Sequence, residues 1–207
     1  MLDRNYKTKI PGVSLPKTKN GWQKFTTLVE SAEKLFAESG FHNVSISDIC
    51  SEADTAVGTF YIYFETKSDI YRYLVESYGR KIRRSISKDI ESSNCETRAD
   101  RERAGIKSFV KLAVETPTLY NIIWGCLSVD KQMFEDYYVS FARSYSRALL
   151  LDKDELKTED LTTLSYALMG ISSFLALRAI FENMTDEEID YMIDYTFMPM
   201  IKEGLIK

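Results

Sequence analysis

The chain has almost none of the residues from which most enzyme centres are assembled. Its 207 residues include one histidine, His42, and three cysteines, Cys50, Cys95 and Cys126, far apart and without CxxC spacing. No Ser/His/Asp or Cys/His set can be built around one imidazole in an expected loop, and no Gly-rich phosphate cradle is present. A His-based metal site is excluded in the same way, so neither a metal nor a cofactor is expected. An odd, sparse cysteine set suits a reducing cytoplasm better than a disulfide framework. Nine glycines and four prolines rule out collagen-like or low-complexity material, and 44% apolar residues are enough for a proper core. The N-terminus has no apolar secretory segment. The longest uncharged run, Leu161 to Leu177, is broken by hydroxyls and falls short of the ~20 residues of a membrane span, so a buried helix is expected and no membrane partner.

Charge is distributed unevenly along the chain. The net charge is −4, yet Arg4, Lys7, Lys9, Lys17, Lys19 and Lys24 face only Asp3 over residues 1–24. Residues 1–19, with Pro11, Gly12 and Pro16, show no sustained period and read as a flexible basic tail. From Asn20 onward the pattern is helical and no stretch alternates for long like a strand. Phe25, Leu28, Val29, Ala32, Leu35 and Phe36 form one stripe from Gly21 to Ser39, with Gly40 placed for a left-handed cap. Ser45-Ile46-Ser47-Asp48, Thr66-Lys67-Ser68-Asp69 and Thr185-Asp186-Glu187-Glu188 read as capping boxes. Pro199 should break the bond to the Tyr195 carbonyl and bend the last helix. The expectation is an all-α fold of about nine helices. It divides into the tail (1–19), a three-helix helix-turn-helix domain (20–66) and a larger helical domain (67–207).

Two short helices, about Ile46–Ala53 and Ala56–Tyr63, follow a longer one and are separated by a tight turn. A helix that enters a major groove must be short, show small or polar side chains near its start, and be held by its other face. Ala56, Val57, Gly58 and Thr59 are small enough for close approach, while Phe60 and Phe64 are spaced as inward anchors. Tyr61 and Tyr63 are positioned to carry phenols toward phosphates. Lys67 is expected to set an ammonium beside the free amides of the fourth helix. The same aromatic run also reads as a plain hydrophobic plug.

The stretch from Phe25 to Tyr71 resembles the DNA-binding domain of the tetracycline-repressor (TetR) family of bacterial transcription regulators. Ala32, Leu35-Phe36, Gly40-Phe41, Ser45, Ile49, Gly58-Thr59-Phe60-Tyr61, Tyr63-Phe64 and Lys67 carry the likeness. It implies that Ser45 and Ser47 cap the second helix near a phosphate, that Thr55, Ala56, Val57, Gly58 and Thr59 face bases, and that Tyr61, Tyr63 and Lys67 hold the backbone. Asp54-Thr55-Ala56 departs from the family's usual Gly-Val-Ser turn, though Asp tolerates a left-handed conformation better than most residues. Lys34 and Lys67 are outnumbered by Glu30, Glu33, Glu38, Asp48, Glu52, Asp54 and Glu65. The basic arm is therefore expected to compensate near DNA, lying in the minor groove.

The remainder resembles the family in helical layout only. The last two helices are apolar around much of their circumference, which implies a four-helix homodimer interface with Gly170, Ser173, Phe174, Leu177, Met192 and Phe197 as candidates. Tyr120, Trp124, Phe141 and Tyr145 are candidates to line a pocket for an unknown hydrophobic or aromatic small-molecule inducer. Together these readings imply a ligand-responsive regulator, acting as a repressor on a double-stranded DNA operator. A helical interaction or sensor module that kept the fold without DNA binding is the alternative, and an enzyme is not expected.

Overall fold

The computed structural model describes residues 10–204. Among them are nine helices and no strand. They are α1 (Lys19–Ser39), α2 (Ile46–Glu52), α3 (Val57–Tyr63), α4 (Lys67–Ser92), α5 (Arg98–Glu115), α6 (Pro117–Val129), α7 (Lys131–Leu150), α8 (Leu161–Phe181) and α9 (186–204). Helix starts follow the caps. Ser45 and Asp48, and Thr185 and Glu188, close reciprocal capping boxes. Thr66 and Asp69 do the same for α4, with Thr66 N–H on the Asp69 carboxylate at 2.9 Å. A fourth box, Thr97 with Asp100, opens α5; its Thr-x-x-Asp spacing was available in the sequence. Gly40 ends α1 at positive φ (76°), but with ψ 156° rather than the left-handed helical value expected.

The chain separates into two compact units, 1–79 with 118–137 and 80–117 with 138–207. The boundary expected at residue 66 falls at the start of α4, and the units divide further on, within that helix.

The first unit is built around Phe25 on α1, whose ring lies 5.1 Å from Phe64 and 4.9 Å, edge-on, from Tyr73. Leu28, Val29, Ala32, Ile49, Ile70 and Leu74 complete this core. α6 joins through the Tyr71 hydroxyl, which donates to the Ile122 carbonyl at 2.7 Å. A Cβ on Gly125 would come within 2.8 Å of that oxygen, so only glycine allows the approach. His42, exposed in the turn Phe41–Asn43, sets Nε2 3.1 Å from the Ser128 carbonyl.

Residues 10–18 are corrected from a flexible tail to a docked strap. Val13 bridges Phe64 in antiparallel fashion, and Ile10 is buried. The pairing joins backbone groups distant in sequence and leaves no periodic trace, so the tail-like composition misled. Arg4, Lys7 and Lys9 lie outside the described residues.

In the second unit α5 packs against α8 and α9. Its first turn holds a buried ion pair between Arg98 and Glu102. The Tyr145 hydroxyl of α7 donates to Glu102, and Asp152 accepts from Arg101 Nη2 at 2.8 Å. Burial, with the Glu102 charge beside it, pushes the Tyr145 phenol well above its ordinary range. Further along, Arg103, Lys107 and Lys111 recur every fourth residue, opposite Asp194, Asp190 and Asp186. The expected disturbance at Pro199 takes the form of a π-helical turn, Met192–Phe197, just before it. The wider turn absorbs the bond that proline cannot donate and its clash one turn back.

α8 is apolar on every side and long enough by composition to cross a membrane, though 39% of its most apolar window is buried in the protein. Of the three free thiols, Cys50 and Cys126 are buried, and Cys95 is half-buried between α4 and α5.

The hydrogen bonds from Arg103 and Lys107, helped by their charges and opposed by burial, hold Asp194 well below its ordinary 3.8, at about 2. A lowered carboxylate pKa adds stability that is complete above the ordinary value and is lost as pH falls through about 2. Asp194→Asn should therefore cost about 1–2 kcal/mol at neutral pH, after solvent screening. Urea unfolding of both forms should show that gap at neutral pH and a much smaller one near pH 2.

Candidate nucleic-acid interface

The turn between α2 and α3 is closed by its own backbone. Ala53 N–H donates to the Ile49 carbonyl at 3.0 Å and Thr55 N–H to the Cys50 carbonyl at 2.9 Å. Between them Asp54 takes φ 47°, the left-handed region where Asp stands in for glycine. α3 then begins at Ala56, which is extended and offers no side-chain cap. One face of α3 is fixed inward: Phe60, Tyr63 and the following Phe64 are buried, Phe60 with its ring 5.5 Å from Phe64 and Tyr63 edge-on to Phe25.

The opposite face is open. Ala56, Val57 and Gly58 are exposed, Thr55 and Thr59 half-buried, and Tyr61 is 56% exposed, with Ile62 beside it. A Cβ built on Gly58 would meet no atom within 4 Å. Glycine inside a helix costs roughly 1 kcal/mol relative to alanine, and nothing in the chain itself requires its presence here. The result is a small-residue surface over one turn of helix, backed by a buried aromatic face.

The other expected contacts are placed unevenly. Ser45 is exposed, with its hydroxyl engaged by Asp48: it accepts from Asp48 N–H at 3.1 Å and donates to the carboxylate at 2.7 Å. These bonds hold the Asp48 carboxyl below its ordinary range. Ser47 is exposed on the same short helix. Tyr63 presents no free ring, being buried edge-on against Phe25.

Lys67 is corrected. Its ammonium donates to the Phe41 and Val44 carbonyls at 2.7 and 2.6 Å and sits 4.2 Å from the centre of the Phe41 ring. It ties the turn before α2 to α4 instead of standing beside the α4 amides. Burial lowers its pKa, opposed by the Asp48 charge. Sequence spacing gave its position on the helix but not the direction of a four-carbon arm.

The proposed pocket residues are not brought together within either unit. Tyr120 and Trp124 stack in the first, centroids 6.1 Å apart. Phe141 and Tyr145 belong to the second, where Arg83 lies 5.8 Å from the Phe141 ring and Glu102 holds Tyr145. The second unit has a groove of about 390 Å³ between α7 and α8, walled by Val139, Ala142, Leu150, Leu161 and Tyr166 with Arg143 and Arg147 at its edge, and none of the four aromatics lines it. Among the described residues no three His, Cys, Asp or Glu side chains gather as a metal set would require.

The interface candidates divide in two. Gly170 and Phe174 are exposed on α8, and Ser173 and Leu177 half-buried. Met192 and Phe197 are corrected to core residues, because the π-helical turn rotates them inward. Tyr191, just before the turn, and Tyr195, within it, are both exposed and 5.1 Å apart. Phe181 at the end of α8, 74% exposed, and Met200 on α9 are exposed as well.

Residues 28–74 match the family described as bacterial regulatory proteins, tetR family. Two Bacillus subtilis proteins are 36% identical: the HTH-type transcriptional regulator YvdT over 63 residues, 30% of this chain and 31% of that one, and a fatty acid metabolism regulator protein over 69 residues, 33% and 35%. The chain thus spans about a third of the length of these curated relatives. Among solved structures, a TetR family transcription regulator from Marinobacter aquaeolei VT8 superposes with TM-score 0.70 at 18% identity, over 91% of this chain and 98% of that one. The fatty acid degradation regulator FadR from Bacillus halodurans gives TM-score 0.69 at 16% identity, over 87% and 95%. These likenesses establish the all-α fold, and the helix-turn-helix falls inside the matched segment. The chain therefore carries, at residues 28–74, the N-terminal domain of the tetR family of bacterial regulatory proteins, set in a TetR-like helical fold.

Proposed function

We propose that this protein is a DNA-binding transcriptional regulator of the cytoplasm that inserts α3 into the major groove of an operator and represses from it. The observation that carries this reading is the outer face of α3. Gly58 is retained in a helix at a cost, with only open space beyond it. A duplex is the partner that uses such a gap, since backbone must approach base edges closely there. Tyr61, directed outward from the same helix, supplies a hydroxyl for a flanking phosphate. In electrophoretic shifts with the DNA flanking its own gene, Gly58→Leu should weaken binding about tenfold or more, ~1.4 kcal/mol. Its melting temperature should stay level or rise, because leucine is the better helix former. Unchanged binding by Gly58→Leu, or no shifted band with the native chain, would refute the reading.

The operator-bound form is proposed to be a homodimer. Phe174 at 67% exposure and Phe181, with Ile171 and Tyr166, make an unsatisfied strip on α8, and a Cβ on Gly170 in its middle would meet nothing within 4 Å. A second copy applied through the same strip is the self-complementary solution. It would present two α3 helices about 34 Å apart, one turn of DNA. Phe174→Glu should give a monomer in sedimentation at micromolar concentration, with DNA affinity lowered at least tenfold.

A small hydrophobic inducer is proposed to release the operator by favouring a conformer with mis-spaced recognition helices. Two relatives are named for fatty acid metabolism and degradation, which makes long-chain acyl compounds the first to try. Titration of a preformed protein–operator complex with such compounds should lower its anisotropy if they are inducers.

A further inference from the structure

The groove between α7 and α8 lies within the second unit and has a tied floor. The Ser146 and Ser165 hydroxyls meet at 2.8 Å, and each also donates to the Leu161 carbonyl. At about 100° per residue, Ala142 and Ser146 face α8, Val139 and Leu150 come next around α7, and Arg143 and Arg147 lie beyond them. Val139, Leu150 and Tyr166 are large apolar side chains left exposed around an opening of about 390 Å³. Small-molecule sites occupy roughly 300–1,000 Å³ and combine apolar walls with a few polar groups. From Val139 to Leu150 the α7 wall runs about 16 Å, at ~1.5 Å per residue, which suits an elongated occupant.

The charge on this rim is uncompensated. Arg143 and Arg147 are exposed and have no carboxylate within ion-pair distance among the described residues. No acid stands three or four positions from either along α7, where a helical partner would be. By contrast, Arg98, Arg101, Arg103 and Arg178 of the same unit each pair with a carboxylate. The helix dipole favours Arg147 in the last turn of α7. Arg143, one turn earlier, sets a like charge beside it, and an anion held by both relieves that repulsion. Guanidinium groups present forked donors that match carboxylate and phosphate.

We propose that this groove binds an elongated amphiphile with a single anionic head, its apolar body along Val139, Leu150 and Tyr166 and its head held by Arg143 and Arg147. Tyr166 also borders the α8 strip proposed above to meet a second copy, so the occupant lies at the margin of that contact. Release of the operator by this occupant rests on the inducer reading above, whereas its binding does not.

Isothermal titration calorimetry of the full chain with decanoate, decyl phosphate and uncharged decanol tests the site. The anion with the better-matched head should bind saturably, at a single site per chain, and about tenfold or more tighter than the alcohol. Arg143→Ala with Arg147→Ala should remove that advantage and leave the affinity for the alcohol unchanged. Thr162→Trp, at an exposed position on the α8 wall, should weaken anion and alcohol alike. Equal binding of all three compounds, or an unchanged anion affinity in the arginine variant, would overturn the site. So would an absence of binding, and so would binding by the Phe174→Glu form alone, which would mean that a second copy fills the groove. The anisotropy of the operator complex separates this site from the inducer reading. Operator release that persists in the arginine variant keeps an inducer and overturns the groove. Anion binding that the arginine variant loses, with no release of operator by the native chain, keeps the groove and overturns its role in induction.

Discussion

The packing of Phe25 holds the N-terminal unit in its working shape. Its ring is the common neighbour of Trp22 on α1, of Tyr63 and Phe64 at the end of α3, and of Tyr73 on α4. Aromatic pairs at these separations contribute about 0.5–1.5 kcal/mol each beyond the area they bury. Because α3 is only seven residues long, it is too short to persist alone in water. Its helicity depends on this one-sided clamp, and the clamp leaves its outer face free to carry small residues of low intrinsic helical value. The Lys67 ammonium adds to the clamp by bracing the turn before α2 from below.

The second unit is organised on a polar spine instead. α5 carries the buried Arg98–Glu102 pair at its start and the ladder to α9 along its length. A buried pair of this kind is weak evidence of net stability, since its desolvation offsets its attraction, but losing one partner strands a charge. Through the Ala148 carbonyl and the Tyr145 hydroxyl it ties the start of α5 to α7. The ladder ties α9 to α5, and Asp194, within the π-helical turn, meets both Arg103 and Lys107.

Helix positions were largely legible in the sequence, because caps and apolar stripes are local signals and they agreed. The helix-turn-helix was legible for the same reason, and Asp54 took the left-handed turn its side chain permits. Directions of side chains were not. Lys67 turned to two carbonyls that no local pattern marks, and the strap paired with residues some fifty positions away. Apolar residues around the whole last helix do not show which of them face outward, and the wide turn buries Met192 and Phe197. The α5–α9 ladder was recoverable: its cations and anions both recur every fourth residue, at 103, 107, 111 and 186, 190, 194.

The three thiols differ sharply in how they meet solvent. Cys50 and Cys126 are enclosed, and burial, helped by the Asp130 charge, pushes the Cys126 thiol up to about 12, where almost no thiolate exists at neutral pH. Electrophiles react with thiolate, so maleimide dyes added to the native protein will concentrate on Cys95, between α4 and α5. The molecule thus comes with a natural single attachment point for a fluorophore or spin label, requiring no engineered cysteine.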